Sequence, residues 1–158
     1  MTLMTISTAG LNLIKQYEGC KLYAYRDAVG IPTIGYGHTK GVKMGQAITQ
    51  QQADKFLRED CADAERALNK LGINFRQEQF DALVSWVFNL GVMRLADSTM
   101  LKRIKANEAD EAITDELVKW KKAGGVVLLG LMRRRCSEAN MFLGRERYRV
   151  IDNQIKKV

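Results

Sequence analysis

"YEGCKLYAYRDAVGIPTIGYGHT", residues 17–39, carries the chain's only proline, four glycines and two carboxylates, Glu18 and Asp27, in one short span. The wider segment from Lys21 to Ile48 holds Gly30, Pro32, Gly35, Gly37, Gly41 and Gly45, with Tyr, Ile, Val and Thr between them. So many breakers exclude a helix, and the β-formers between them predict a small antiparallel sheet of hairpins. Upstream, Leu11, Leu13, Ile14 and Tyr17 fit a short helix from Ser7 that Gly19 ends. Glu18 then stands at the helix's carboxyl end.

Downstream the pattern becomes helical. In "ITQQQADKFLREDCADAERALNKLG", residues 48–72, Thr49 and Gln52 form a capping-box pair, and Ala53, Phe56, Leu57, Cys61, Ala64, Ala67, Leu68 and Leu71 recur at helical spacing. One long amphipathic helix ending near Gly72 is predicted. "RQEQFDALVSWVFNLG", residues 76–91, is apolar on more than one face and reads as the central buried helix, stopped by Gly91. Further helical patterns lie in "DSTMLKRIKAN", "EADEAITDELVKWKKAGG" and "GLMRRRCSEANMFLGRERY". The 158 residues fit one α+β domain. Its parts are a sheet lobe at about 19–49, an inter-lobe helix at about 50–71, and a helical lobe at about 73–158 with helix 7–18 packed on it. A cleft between the lobes is the natural ligand site.

Composition bounds the function. With 46% apolar and 27% charged residues and no low-complexity tract, the chain folds. Cys20, Cys61 and Cys136 are odd in number and lack metal or redox spacing, which predicts free thiols, no disulfide and no metal site. The start, "MTLMTISTAGLNLI", has no basic leader and no bilayer-length apolar run, so neither signal peptide nor signal anchor is expected. The formal charge is +7, and residues 133–158 hold eight Lys or Arg against three Asp or Glu. Such a basic end suits polyanions, whether nucleic acid, acidic wall polymers or anionic lipid, or it is a solvated face that serves solubility.

Within the opening stretch, the carboxyl end of a helix disfavours a negative charge, so Glu18 is placed to keep a proton. Asp27, beside Arg26 in the turn-like "YRDAVG", sits where an ionised carboxylate is at ease. Alternation in "GIPTIGYG" can turn the Thr33 hydroxyl to the same side. Two carboxylates in unlike surroundings are the equipment of glycoside hydrolysis, one giving a proton to the leaving oxygen and the other handling water or the sugar cation. His38, the only histidine, reads as a hydrogen-bonding brace rather than a base. The glycines match no phosphate-binding loop, and nothing points to a cofactor.

These residues resemble the phage-type lysozymes, or endolysins, of glycoside hydrolase family 24, in particular the endolysins of tailed phages of Gram-negative bacteria. That family's signature is a Glu, eight residues, an Asp or Cys, five residues and a Thr, leading into a "TIGYGHT"-like run. Glu18, Asp27 and Thr33 meet both spacings, and "TIGYGHT" stands at 33–39. "QFDALVSWVFNLG" is similar to the family's central helix and "GLMRRRCSEANMFLG" to its late arginine-rich helix.

The resemblance implies a lysozyme-like fold and hydrolysis of the β-1,4 bond between N-acetylmuramic acid and N-acetylglucosamine in peptidoglycan, with inversion. It implies Glu18 as general acid, with Asp27 and Thr33 positioning or activating water. It further implies Tyr25, His38, Phe88 and Asn89 along the substrate and one of Arg133, Arg134 or Arg135, preferentially Arg134, orienting the acid. A monomer is expected to gather in the host cytoplasm and to reach the periplasm and wall once a separate holin-type membrane-perforating protein acts. The basic end offers a weak contact to the anionic envelope, and nucleic acid is not the expected partner. The rivals are a lytic transglycosylase, which cuts the same bond with one carboxylate, and a non-catalytic basic wall-binding module.

Overall fold

The structure is a computed structural model, and it describes residues 2–158. Helix α1 (Thr8–Glu18) starts at Ser7, whose side chain accepts from the Gly10 amide, and ends at Gly19 with φ 68°. That left-handed backbone suits glycine and turns the chain sharply out of the helix just past Glu18. Strands β1 (Lys21–Arg26) and β2 (Pro32–Gly35) pair antiparallel, with Tyr25 opposite Thr33 and an irregular register between Lys21 and Tyr25. Bridges from Tyr23 to Ala47 and from Ile34 to His38 extend the small sheet. The hairpin reading of the glycine-rich segment therefore matches the fold.

The capping box at Thr49 and Gln52 forms as the sequence predicts. The single long helix does not. It divides at Cys61 into α2 (Gln50–Asp60) and α3 (Ala62–Asn69). One buried stripe of Ala53, Leu57, Cys61, Ala64 and Leu68 still runs through both, which is why periodicity alone hides the break.

Helix α4 (Gln77–Leu90) is the centre, with every residue from Gln79 to Val87 buried. Helix α1 crosses it closely at Gly10, where a Cβ would meet Ile6 at 2.6 Å and Asp81 at 2.8 Å. Only glycine allows that approach without repacking. Helices α5 (Val92–Asp97), α6 (Thr99–Lys105), α7 (Asp110–Leu117) and α8 (Leu129–Leu143) complete the lobe. Of these, α8 packs most extensively on α4.

Two hairpins in this lobe depart from the expected helices. Strands β3 (Lys122–Ala123) and β4 (Val126–Val127) turn at Gly124 and Gly125. Strands β5 (Tyr148–Ile151) and β6 (Gln154–Lys157) turn at Asp152 and Asn153, both with positive φ. Two such residues make the hairpin turn whose twist matches its strands.

The basic end is accordingly less free than its charge implies. Arg134 and Arg135 are buried in α8, while Arg145 pairs with Glu111, Arg149 with Glu146, and Arg147 and Lys157 with Asp115. All three cysteines are free. Burial, with Glu65 and Asp60 nearby, pushes the Cys61 thiol up to about 12, and burial alone pushes Cys136 to about 11, so neither is a ready nucleophile. Among the described residues, no helix is long and apolar enough to cross a membrane.

Candidate active site

Glu18 and Asp27 flank strand β1 and are held in unlike ways. Glu18 is the last residue of α1, with its side chain 23% exposed. Its Oε2 accepts from Arg134 Nη1 at 2.5 Å, and its Oε1 lies over Gly37, 3.5 Å from where a Cβ would stand. Arg134 is the one of the three candidate arginines whose guanidinium reaches the acid. Asp27 caps its own turn: its Oδ1 accepts from the amides of Val29 at 3.0 Å and Ile31 at 2.9 Å. No hydrogen bond among the described residues engages its Oδ2.

Thr33 is coupled to Asp27 through Ile31. The Ile31 carbonyl accepts both the Thr33 hydroxyl, at 2.8 Å, and the Asp27 amide, at 3.0 Å. Thr33 is buried, and the bond to Ile31 fixes its hydroxyl.

The secondary candidates are spread more widely. Tyr25 is half-buried, with the Lys21 ammonium 4.3 Å from its ring centroid. His38 is buried, stacks on Phe56 at 4.1 Å, and places Nδ1 2.8 Å from Asp60 Oδ2. That arrangement ties the sheet lobe to α2, which is the bracing use of the ring. Phe88 lines a groove of about 380 Å³ with Gly37, Thr39, Lys40 and Asp60. Asn89 opens instead onto a larger groove of about 860 Å³, with Arg94, Trp120, Lys122 and Leu131. Its carbonyl oxygen accepts from Arg135 Nη2 at 2.9 Å.

Beneath the acid lies a buried polar cluster. Glu138, fully buried in α8, accepts from the Ser85 hydroxyl at 2.6 Å, from Arg134 Nε at 3.2 Å and from Arg135 Nη2 at 3.2 Å. Arg135 Nε approaches its other oxygen at 2.7 Å but out of line, an ion pair without a formal hydrogen bond. Arg134 Nη2 donates to the Ser85 carbonyl at 3.2 Å. Burial holds the Arg135 guanidinium below its ordinary range, and Glu138 opposes that shift. Glu138 and Ser85 were not singled out from the sequence. The available signal was the placement of Glu138 three and four residues after two consecutive arginines, the helical spacing of ion pairs.

Comparisons with known proteins agree with this architecture. Residues 15–138 match the phage lysozyme family. The chain is 42% identical over 144 residues to an endolysin of Acyrthosiphon pisum secondary endosymbiont phage 1, covering 88% of this chain and 98% of that protein. It is 41% identical to an endolysin of Bacillus phage B103, of which it spans about half, 54%. Among solved structures it is similar to an endolysin from Escherichia coli O157:H7 phage FAHEc1, with TM-score 0.82 and 39% identity over 90% of this chain and 95% of that one. With the fold, the motif and these relatives in agreement, the chain belongs to the phage lysozyme family and is a lysozyme hydrolase.

Proposed function

We propose that this lysozyme hydrolyses the β-1,4 bond between N-acetylmuramic acid and N-acetylglucosamine in bacterial peptidoglycan, with Glu18 as general acid and Asp27 and Thr33 directing the water. What carries this reading is the unlike tethering of the two carboxylates. Glu18 is held by a single guanidinium and can pass a proton to the leaving oxygen. The part of Arg134 is to aim the carboxyl and to pair with the carboxylate left when the proton has gone. Asp27 spends one oxygen on two backbone amides, which fixes the other as an acceptor for water. The Thr33 hydroxyl offers that water a second contact. An aspartate that aims water rather than attacking the sugar gives an inverting course.

Glu18→Gln tests the assignment. Clearing of outer-membrane-permeabilised cells falls by about a thousandfold or more with the fold intact. Retained activity overturns the role of Glu18. Mass spectrometry of the digested wall separates hydrolysis from the transglycosylase alternative, since anhydromuramyl ends would establish the latter.

Tyr25, Phe88 and Asn89 are the proposed sugar contacts, and His38 shapes the cleft from behind through Asp60 and Phe56. The protein acts as a monomer. It gathers in the host cytoplasm and reaches the periplasm and wall after a holin-type protein perforates the membrane. An epitope-tagged form appearing in the periplasm without such a partner contradicts that route. The basic residues of the carboxyl-terminal hairpin add a weak contact to the anionic envelope. Neutralising Lys156 and Lys157 leaves wall hydrolysis intact and lowers salt-sensitive adhesion to anionic vesicles.

A further inference from the structure

Glu138 is a fully buried carboxylate that the chemistry above does not use. It lies between two buried guanidiniums, Arg134 and Arg135, one of which contacts the acid. A buried charge in a low-dielectric interior acts strongly on its neighbours, and removing one member leaves the others uncompensated.

We propose that Glu138 is a positioning residue for the hydrolysis: by holding Arg134 and Arg135 together it fixes where Arg134 meets Glu18 and limits how much positive charge the acid experiences. This rests on the reading of Glu18 as general acid.

The geometry leaves Glu138 as the local regulator of that charge. On α8 it faces Arg134 and Arg135. From α4 come only neutral groups, Ser85 on Glu138 and Arg134, and Asn89 on Arg135. From α1 come Glu18 and Tyr17, the latter with its ring 6.0 Å from the Arg134 guanidinium and its hydroxyl on Ser137. The segment after α7 contributes the Trp120 carbonyl to Arg135 at 3.4 Å. The charges of α7 are engaged elsewhere: Asp110 with Arg76, Glu111 with Arg145, Glu116 with Lys119 and Arg103, and Asp115 with Arg147 and Lys157. In the carboxyl-terminal hairpin, Arg149 is taken by Glu146. In the turn after β2, Gly37 adjoins Glu18 and His38 faces Asp60.

With Glu18 protonated, the cluster holds two guanidiniums against one carboxylate. If Glu138 is neutral, both positive charges stand against Glu18 alone. The ionised acid is then favoured, the proton leaves at lower pH, and the alkaline limb of activity moves down.

The test is Glu138→Gln in the full-length protein, read in two ways. The first is the pH profile of wall clearing. The second is the ¹³C titration of the Glu18 carboxyl, assigned by its loss in Glu18→Gln. Both midpoints are expected to move to lower pH, which cuts activity several-fold above the limb and leaves the acidic side near the parent level. The double variant Arg135→Gln/Glu138→Gln removes one charge of each sign and is expected to bring both midpoints back toward the parent. A structural role alone predicts a uniform loss across pH and no such rescue.

Unmoved midpoints in Glu138→Gln, or a double variant no different from the single, overturn the proposal. If Glu138→Gln does not fold, the double variant decides. A double-variant midpoint below that of Arg135→Gln alone supports the proposal, and one equal to that of Arg135→Gln overturns it. A shifted Glu18 titration with an unshifted activity profile overturns the acid assignment on which the proposal rests.

Discussion

Glu18 and Asp27 stand nine residues apart in sequence, yet their surroundings are built by opposite means. Asp27 is fixed by its own neighbourhood, since amides two and four residues further on hold its Oδ1. Glu18 is fixed from a distance, by an arginine 116 residues away that is itself gripped by Glu138 and Ser85. One site is a turn and the other is an assembly of three helices. The difference teaches that the setting of Asp27 depends on the hairpin turn alone, whereas that of Glu18 depends on the packing of α1, α4 and α8.

Substitutions that separate charge from geometry test that contrast most severely. Asp27→Asn keeps an oxygen for both amides and removes the charge. Wall clearing is expected to fall by about a thousandfold while the melting temperature stays near the parent value. Asp27→Ala loses as much activity and also costs about 1 kcal/mol in denaturant titration, because the turn loses its acceptor. Equal stability of the two variants would break the claim that the turn depends on this side chain.

On the acid side, stability should respond more strongly. Arg134→Met strands Glu138 with one guanidinium fewer and is expected to cost about 3 kcal/mol, read by urea unfolding. A cost below about 1 kcal/mol would mean that the cluster relaxes around the loss.

A smaller effect separates the cleft from the far end of the helical lobe. Burial opposes ionisation of Asp115, but hydrogen bonds from Tyr148 and Lys157 outweigh it and hold its carboxyl below the ordinary range. A folded-state value below the unfolded one adds stability above the unfolded value and loses it as pH falls through the folded value. Asp115→Asn should therefore flatten the acid limb of the unfolding free energy below about pH 4 without changing the pH profile of catalysis.

What was legible in the sequence follows the same division. The Thr49 cap, the stop at Gly19, the sheet of hairpins, the buried α4 and the spacing of Glu18, Asp27 and Thr33 are local patterns, readable over a few residues. The break at Cys61 was not, because its flanking apolar stripe never loses phase. The β5–β6 hairpin was hidden by charge: Arg149, Lys156 and Lys157 made a tail of what Asp152 and Asn153 fold into strands. The Glu138 cluster was the least legible, since its contacts to Ser85 and Glu18 join residues far apart in the chain. Helical spacing allows a pair on α8, but no local pattern turns both arginines inward.

The exposed thiol of Cys20 lies two residues beyond Glu18, with its sulfur 3.9 Å from Gln50 at the start of α2. The other two thiols are buried, so a reversible disulfide reagent has one site to choose in the native protein. The fold thus leaves one removable point of attachment, where the first strand meets the start of α2.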